Sequence, residues 1–266
     1  LTIMLSIGGG AMLSLSLGQR KTEKTNEIFT SICVVAFAVA LLISGGFFFF
    51  AGPLVQLCGA GESSALYPIA VSYLKITAFG QFFSIMNLAL AAVIRAEGNT
   101  RYAMVVTMSG ALLNCVLDAV FMLAFHMGVE GAALGTVIGQ IVSCLMSLQY
   151  YVRGLGAARF LGLRSFRPST AARVASLGLA PSVFQALSFV NNILVNQSLR
   201  CYADLELGAG GGDMALSAVS VMQTVENLAI MFIMGMNNAV STVISYNYGS
   251  GQYERVRKAT LTGQMV

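Results

Sequence analysis

The chain has 266 residues, 56% of them apolar and only 10% charged, with a formal net charge of +4. A mean hydropathy of +0.77 excludes a soluble globular domain, which would need more polar surface to stay in solution. Its apolar runs are continuous, which excludes a β-barrel of alternating strands, and its one histidine, His126, excludes a His-based metal or Ser/His/Asp site within these residues.

An apolar run of about 20 residues spans the ~30 Å hydrocarbon core of a bilayer, and roughly seven such runs are present. They cover residues 1–17, 28–50, 66–94, 102–126, 131–152, 172–199 and 214–248. The chain reads as an internal fragment of a longer protein. It starts inside an apolar run without an initiator methionine, and it turns apolar again from Leu261 to Val266. No signal peptide is visible in it.

Basic residues cluster after alternate runs. Arg20, Lys21 and Lys24 follow the first, and Arg95 and Arg101 the third. Arg153, Arg159, Arg164, Arg167 and Arg173 follow the fifth, and Arg255, Arg257 and Lys258 the seventh. The intervening loops hold mainly Glu62, Glu130, Asp204, Glu206 and Asp213, with Arg200 as the basic exception. The positive-inside bias therefore puts loops 18–27, 95–101, 153–171 and 249–260 in the cytoplasm. The Arg-rich loop, with Pro168, reads as a hinge or linker between two bundles, or simply as a solvated positive loop. It has no interleaved aromatic platform, so nucleic acid is not expected as a partner.

The segment Ser14–Gly18 followed by Glu23 and Lys24 repeats as Ser245–Gly249 followed by Glu254 and Arg255, at a constant offset of 231. The two copies fall either side of the Arg-rich loop. Two related helical bundles joined by a linker is a transporter layout. Cys33, Cys58, Cys115, Cys144 and Cys201 show no CxxC spacing and read as small apolar packing residues.

Three ionisable side chains lie within apolar runs: Lys75, Asp118 and Glu226. A charge at bilayer depth is costly and usually faces a partner or a wet cavity. Asn114 precedes Asp118 by one helical repeat, so both share a face. Asp118 lies ~12 Å before the turn at Gly128–Gly131 and Thr136 ~7.5 Å after it, at 1.5 Å per residue. A carboxylate, an amide and a hydroxyl thus meet at similar depth. Such oxygens suit Na⁺, and the carboxylate could instead take a proton. The same pattern also describes a structural Asp–Asn hydrogen-bonded pair. Gly131, Gly135 and Gly139 form a ladder for close helix packing.

Glu226, with Gln223 and Asn227, could attract a cationic substrate or snorkel to water. Lys75 reads as snorkelling at an interface. Gln185, Ser188, Asn192 and Asn196 form a polar stripe after Pro181, either a cavity wall or an interhelical hydrogen-bonding face. Met and Phe are abundant and would give an adaptable apolar lining wherever they face a cavity.

Four stretches together resemble the multidrug and toxic compound extrusion (MATE) family, in particular its bacterial branch with DNA-damage-inducible and staphylococcal-type members. They are Gly8 to Gly18 with its charged tail; Tyr73-Leu-Lys-Ile on to Arg95-Ala-Glu-Gly-Asn-Thr-Arg-Tyr-Ala-Met104; Asn114 to Asp118 with Gly131 to Thr136; and Gly235 to Gly249. The resemblance implies an all-α polytopic two-lobe bundle of roughly twelve spans, of which this chain holds about seven. Residues 1–152 would be helices two to six of the first lobe, 153–171 the cytoplasmic linker, and 172–266 the start of the second lobe.

The resemblance further implies secondary active antiport and no enzyme activity. Na⁺ or H⁺ would be the coupling ion, with no other cofactor. The partners would be a lipophilic, often cationic substrate and membrane lipid, and the protein would be a monomer in a bacterial plasma membrane. Asn114, Asp118 and Thr136 fall on the family's first-lobe cation site. Gln185, Asn192, Asn196, Gln223 and Glu226 are the substrate-cavity candidates. Two departures stand out: the chain reads Met236-Asn-Asn-Ala-Val-Ser241 where a Gln-Gly and a Pro are usual, and Gln185 lies where some sodium-coupled members carry an acid. A lipid-linked oligosaccharide flippase of the same superfamily and a non-transporting membrane receptor are the alternatives.

Overall fold

The computed structural model describes residues 2–57, 67–162, 165–208 and 211–265. Cys58, Glu62 and Arg164 lie outside the described residues, as do the side chains of Arg200, Asp204, Glu206 and Asp213. The described chain is helical throughout: α1 (Thr2–Gly18), α2 (Thr22–Phe49), α3 (Ala51–Leu57), α4 (Tyr67–Ala96), α5 (Thr100–Ala119), α6 (Gly128–Val152), α7 (Pro168–Leu207), α8 (Gly211–Gly249) and α9 (Tyr253–Met265). Among the described residues, six stretches are long and apolar enough to cross a membrane; α1, at 17 residues, is a shorter apolar helix.

Local chemistry sets the helix ends. Asn99 caps α5 by accepting the Tyr102 backbone N–H at 3.2 Å, which satisfies one orphan donor of the first turn. Pro168 opens α7 where its missing N–H costs nothing. At their charged ends the helices run past the apolar runs: α2, α5, α6, α7 and α8 start earlier, and α4, α7 and α8 stop later. Glu23, Lys24 and Glu27 belong to α2 rather than to loop 18–27, Arg95 to α4, and Arg101 to α5. The reason is that hydropathy marks the hydrocarbon-facing part of a helix, and charged turns continue it into the interface. Two helices outside the expected spans, α3 and the charged α9, follow the same logic: neither is an apolar run of spanning length.

α1 is the hub, packed against α2, α4, α7 and α8. Leu5, Met12 and Leu13 of α1 join Ile28, Phe29 and Ile32 of α2, Leu90 and Val93 of α4 and Val174 of α7 in one buried core. Hydroxyls fasten the hub: Ser14 Oγ donates to the Ala96 carbonyl at 3.2 Å, and Ser16 and Thr25 share a hydrogen bond of 3.0 Å. By contrast, large apolar side chains such as Leu42, Phe49, Leu123 and Phe232 stand exposed on the outside, as lipid-facing surface requires.

The ends of α1, α4, α6 and α8 and the starts of α2 and α7 meet on one face, which carries the basic clusters. Ala158 N–H donates to Glu97 Oε1 at 2.9 Å, Arg159 N–H to Asn26 Oδ1 at 2.8 Å, and Leu161 N–H to Thr30 Oγ1 at 3.2 Å. Further along, Thr170 Oγ1 donates to Glu27 Oε1 at 2.5 Å, and Arg167 sits 3.7 Å from the same carboxylate. The segment after α6 is therefore strapped across the basic face.

The strap has a pH handle. Burial beneath the strap raises the pKa of Glu97, and hydrogen bonds from the backbone of Ala158 and Ala157 and from Tyr150 offset only part of the rise. Gly156 leaves the room this needs, since a Cβ there would sit 2.6 Å from the Tyr151 ring and 3.3 Å from Glu97 Oε2. A raised carboxyl pKa means that docking favours the protonated form. Its contribution is complete below the ordinary Glu value and is lost as pH rises through the raised one. A nitroxide attached at Leu155→Cys is expected to become more mobile from pH 5 to pH 8 in the parent protein. Glu97→Gln should hold the label immobile across that range.

Candidate functional site

The seam between α5 and α6 is built on glycine. A Cβ at Gly139 would meet the Gly110 carbonyl at 2.7 Å and Asn114 Cβ at 3.2 Å, and a Cβ at Gly131 would meet Phe121 Cβ at 2.9 Å. Between them, the space beside Gly135 is filled by Asp118 Oδ1. The ladder of small residues thus brings α6 close enough for the polar face of α5 to reach it.

That face carries Asn114 and Asp118, and Asn114 bridges Asp118 to Thr136 of α6, the third residue expected from the sequence. Asn114 Nδ2 donates to Asp118 Oδ1 and to Thr136 Oγ1, both at 3.1 Å, and the Thr136 hydroxyl donates to the Ala132 carbonyl at 3.0 Å. All three are half-buried. In this arrangement the amide offers its N–H groups to the carboxylate. Turning it over would present three oxygens to a cation in their place. Two residues beyond Asp118 the helix widens into a π-helical stretch, Val120–Ala124, and His126 takes a positive φ of 54°. Single π turns recur where a helix is bent around a functional group.

A pocket of about 210 Å³ adjoins the cluster, lined by Ser84, Asn87, Asn114, Thr136, Gln140 and Ser143 among others. Ser147 Oγ donates to Asn87 Oδ1 at 2.8 Å, while buried Gln140 Oε1 has no hydrogen-bond partner. Sequence reasoning missed Ser84, Asn87, Gln140 and Ser143. The available signal was Gln140, one helical repeat after Thr136.

A second, larger cavity of about 810 Å³ lies between α1, α4, α7 and α8, with Ser6, Arg95, Pro181, Gln185 and Asn238 on its walls. Of the substrate-cavity candidates, Gln185 lines it. Asn192 and Gln223 face each other across α7 and α8 at 3.4 Å, outside the cavity wall. Asn196 and Glu226 are exposed. Lys75 and His126 are exposed as well. Arg95 was expected in a loop; it stands on the last turn of α4 and is the one charged side chain on this wall among the described residues.

Known proteins share this arrangement of helices. The multidrug export protein MepA of Staphylococcus haemolyticus (strain JCSC1435) is 24% identical over 252 residues, 94% of this chain and 53% of MepA. The chain spans about half the length of the curated relatives it matches. Among solved structures, a ligand complex of the MATE multidrug transporter DinF-BH superposes with a TM-score of 0.84 at 29% identity, covering 98% of this chain and 57% of that one. A MATE structure in complex with MaD3S superposes at 0.87 with 23% identity, over 98% and 57%. The family model described as MatE matches residues 1–120 and 194–266, and with that the chain belongs to the MatE family.

Proposed function

We propose that the full-length protein is a secondary active exporter, in which Na⁺ or H⁺ moving inward drives a lipophilic, often cationic compound out of the cytoplasm. The observation that carries this reading is the Asn114–Asp118–Thr136 cluster, a carboxylate placed at membrane depth with a hydroxyl and a reversible amide beside it. The relatives bear the names of a multidrug export protein, MepA, and a multidrug transporter, DinF-BH, and the ligands bound in two related structures support a small-molecule substrate. Residues 1–152 act as most of one lobe, the strap 153–171 as the link, and 172–266 as the start of the second lobe. The basic face is the cytoplasmic one, in a bacterial plasma membrane.

In this reading a cation entering from the outer side settles on Asp118. Binding biases the packing of α5 on α6, and the central cavity changes which side it opens to. Coupling requires only that ion and substrate prefer different conformations. Gln185 and the neighbouring aromatic Phe184 present a polar and an apolar contact to a substrate in that cavity. A flippase would hold a pyrophosphate with several basic residues, and Arg95 alone on the wall favours the exporter.

The test uses the full-length gene in an efflux-deficient bacterium loaded with ethidium. Export is expected with the gene and not with empty vector. Collapse of the Na⁺ gradient or of the proton gradient should each be tried, and the one that stops export names the ion. Equal retention with and without the gene would remove the exporter reading for cationic dyes.

A further inference from the structure

The basic face carries a groove that the transport cycle leaves unused. It has a volume of about 600 Å³ and lies between α2, α4 and α6 beneath the strap, with Phe29, Phe37, Met86, Leu148 and Phe160 on its walls. Arg159 is the one charged side chain among its lining residues. We propose that this groove holds an acyl chain of an anionic glycerophospholipid of the inner leaflet, with Arg159 on the lipid phosphate.

Four observations converge on that occupant. The groove is separate from the central cavity. Leu88 and Ala92 line the cavity whereas Met86 and Leu90 line the groove, and residues two apart on a helix point to opposite sides. It opens outward, since Phe37, Leu148 and Phe160 are 49%, 40% and 53% exposed. One end of it reaches the strap, with Gly154, Gly156, Ala158 and Arg159 among its lining residues, on the basic face, and a basic segment at a membrane surface attracts anionic lipid. Finally, the segment that carries the charge is held in place. The Arg159 backbone is bonded to Asn26 and the adjacent Ala158 to Glu97, which fixes the main chain that carries Arg159 along the groove.

The proposal does not depend on which ion or drug is transported. It is tested on the full-length protein in mild detergent by native mass spectrometry, with phosphatidylglycerol and phosphatidylcholine of matched chains supplied in equal amounts. One phosphatidylglycerol is expected to be retained about five-fold over phosphatidylcholine, the worth of one basic contact at an anionic surface. Arg159→Gln, at an exposed position, should erase that preference, Arg159→Lys should keep most of it, and Arg255→Gln, on the distant α9, should leave it intact. Cys33→Trp, which fills the slot, should remove both lipids. Equal retention of the two lipids by the parent protein, or an undiminished preference in Arg159→Gln, would overturn the proposal.

Discussion

Cells carrying Asp118→Asn in the full-length protein are expected to retain ethidium like cells with empty vector, a loss of export of at least about ten-fold, or ~1.4 kcal/mol of coupling. The substitution is nearly isosteric, and its oxygen can still accept from Asn114 Nδ2, so the contact beside Gly135 survives. What disappears is the charge. An Asn can neither take a proton nor neutralise a cation, so a transport cycle that loads and unloads an ion there has nothing to load. Export measured alongside thermal stability separates this from a structural role. A structural Asp–Asn pair with no ion would keep export, because the hydrogen bond from Asn114 survives the substitution. A coupling site would lose export with its melting temperature little changed. Thr136→Val, which removes one oxygen and leaves the carboxylate, should lower export several-fold without abolishing it.

The site was legible in the sequence to the extent that it is local. Asn114 and Asp118 are four residues apart on one helix, and Thr136 follows across a single turn, so helical geometry alone placed all three at one depth. The pocket beside them was not legible, because Ser84, Asn87, Gln140 and Ser143 come from α4 and α6 and none is unusual in its own helix. Only the packing of α4 on α6 makes them neighbours. The polar stripe of α7 shows the reverse failure. Gln185 and Asn192 have regular spacing, yet the first faces the central cavity and the second faces Gln223 of α8. A periodic stripe states which face is polar and says nothing of what covers it. The spans themselves were readable, with ends displaced by up to eight residues, since continuous apolar runs are the strongest signal a bilayer imposes. The short α3 and the charged α9 carry no such signal.

Gly18→Leu is expected to abolish export while leaving the separate bundles folded. At the basic end α1 and α8 approach until backbone meets backbone. The space beside Gly18 is occupied by the Tyr246 carbonyl, and that beside Gly249 by the Leu15 carbonyl. The two contacts are reciprocal, and the offset from 15 to 246 is the same 231 residues as from 18 to 249. The repeat seen in the sequence is therefore a two-fold-like crossing, each copy supplying the glycine that admits the other's main chain. A side chain there cannot be absorbed by a rotamer change, because the obstacle is a carbonyl. Forcing it costs ~1–3 kcal/mol of overpacking unless the helices part. Parting them opens the central cavity toward the basic face, since its walls run along α1 as far as Ala11 and along α8 as far as Ile244, and the crossing is the next close approach of the two helices beyond them. A cysteine at Asn238, on the cavity wall, should then react several-fold faster with an impermeant maleimide applied to inside-out vesicles. Gly249→Leu should do the same, and the double variant should add little, because either side chain alone already separates the pair. Unchanged labelling together with normal export in Gly18→Leu would mean that the crossing is not the closure on this face.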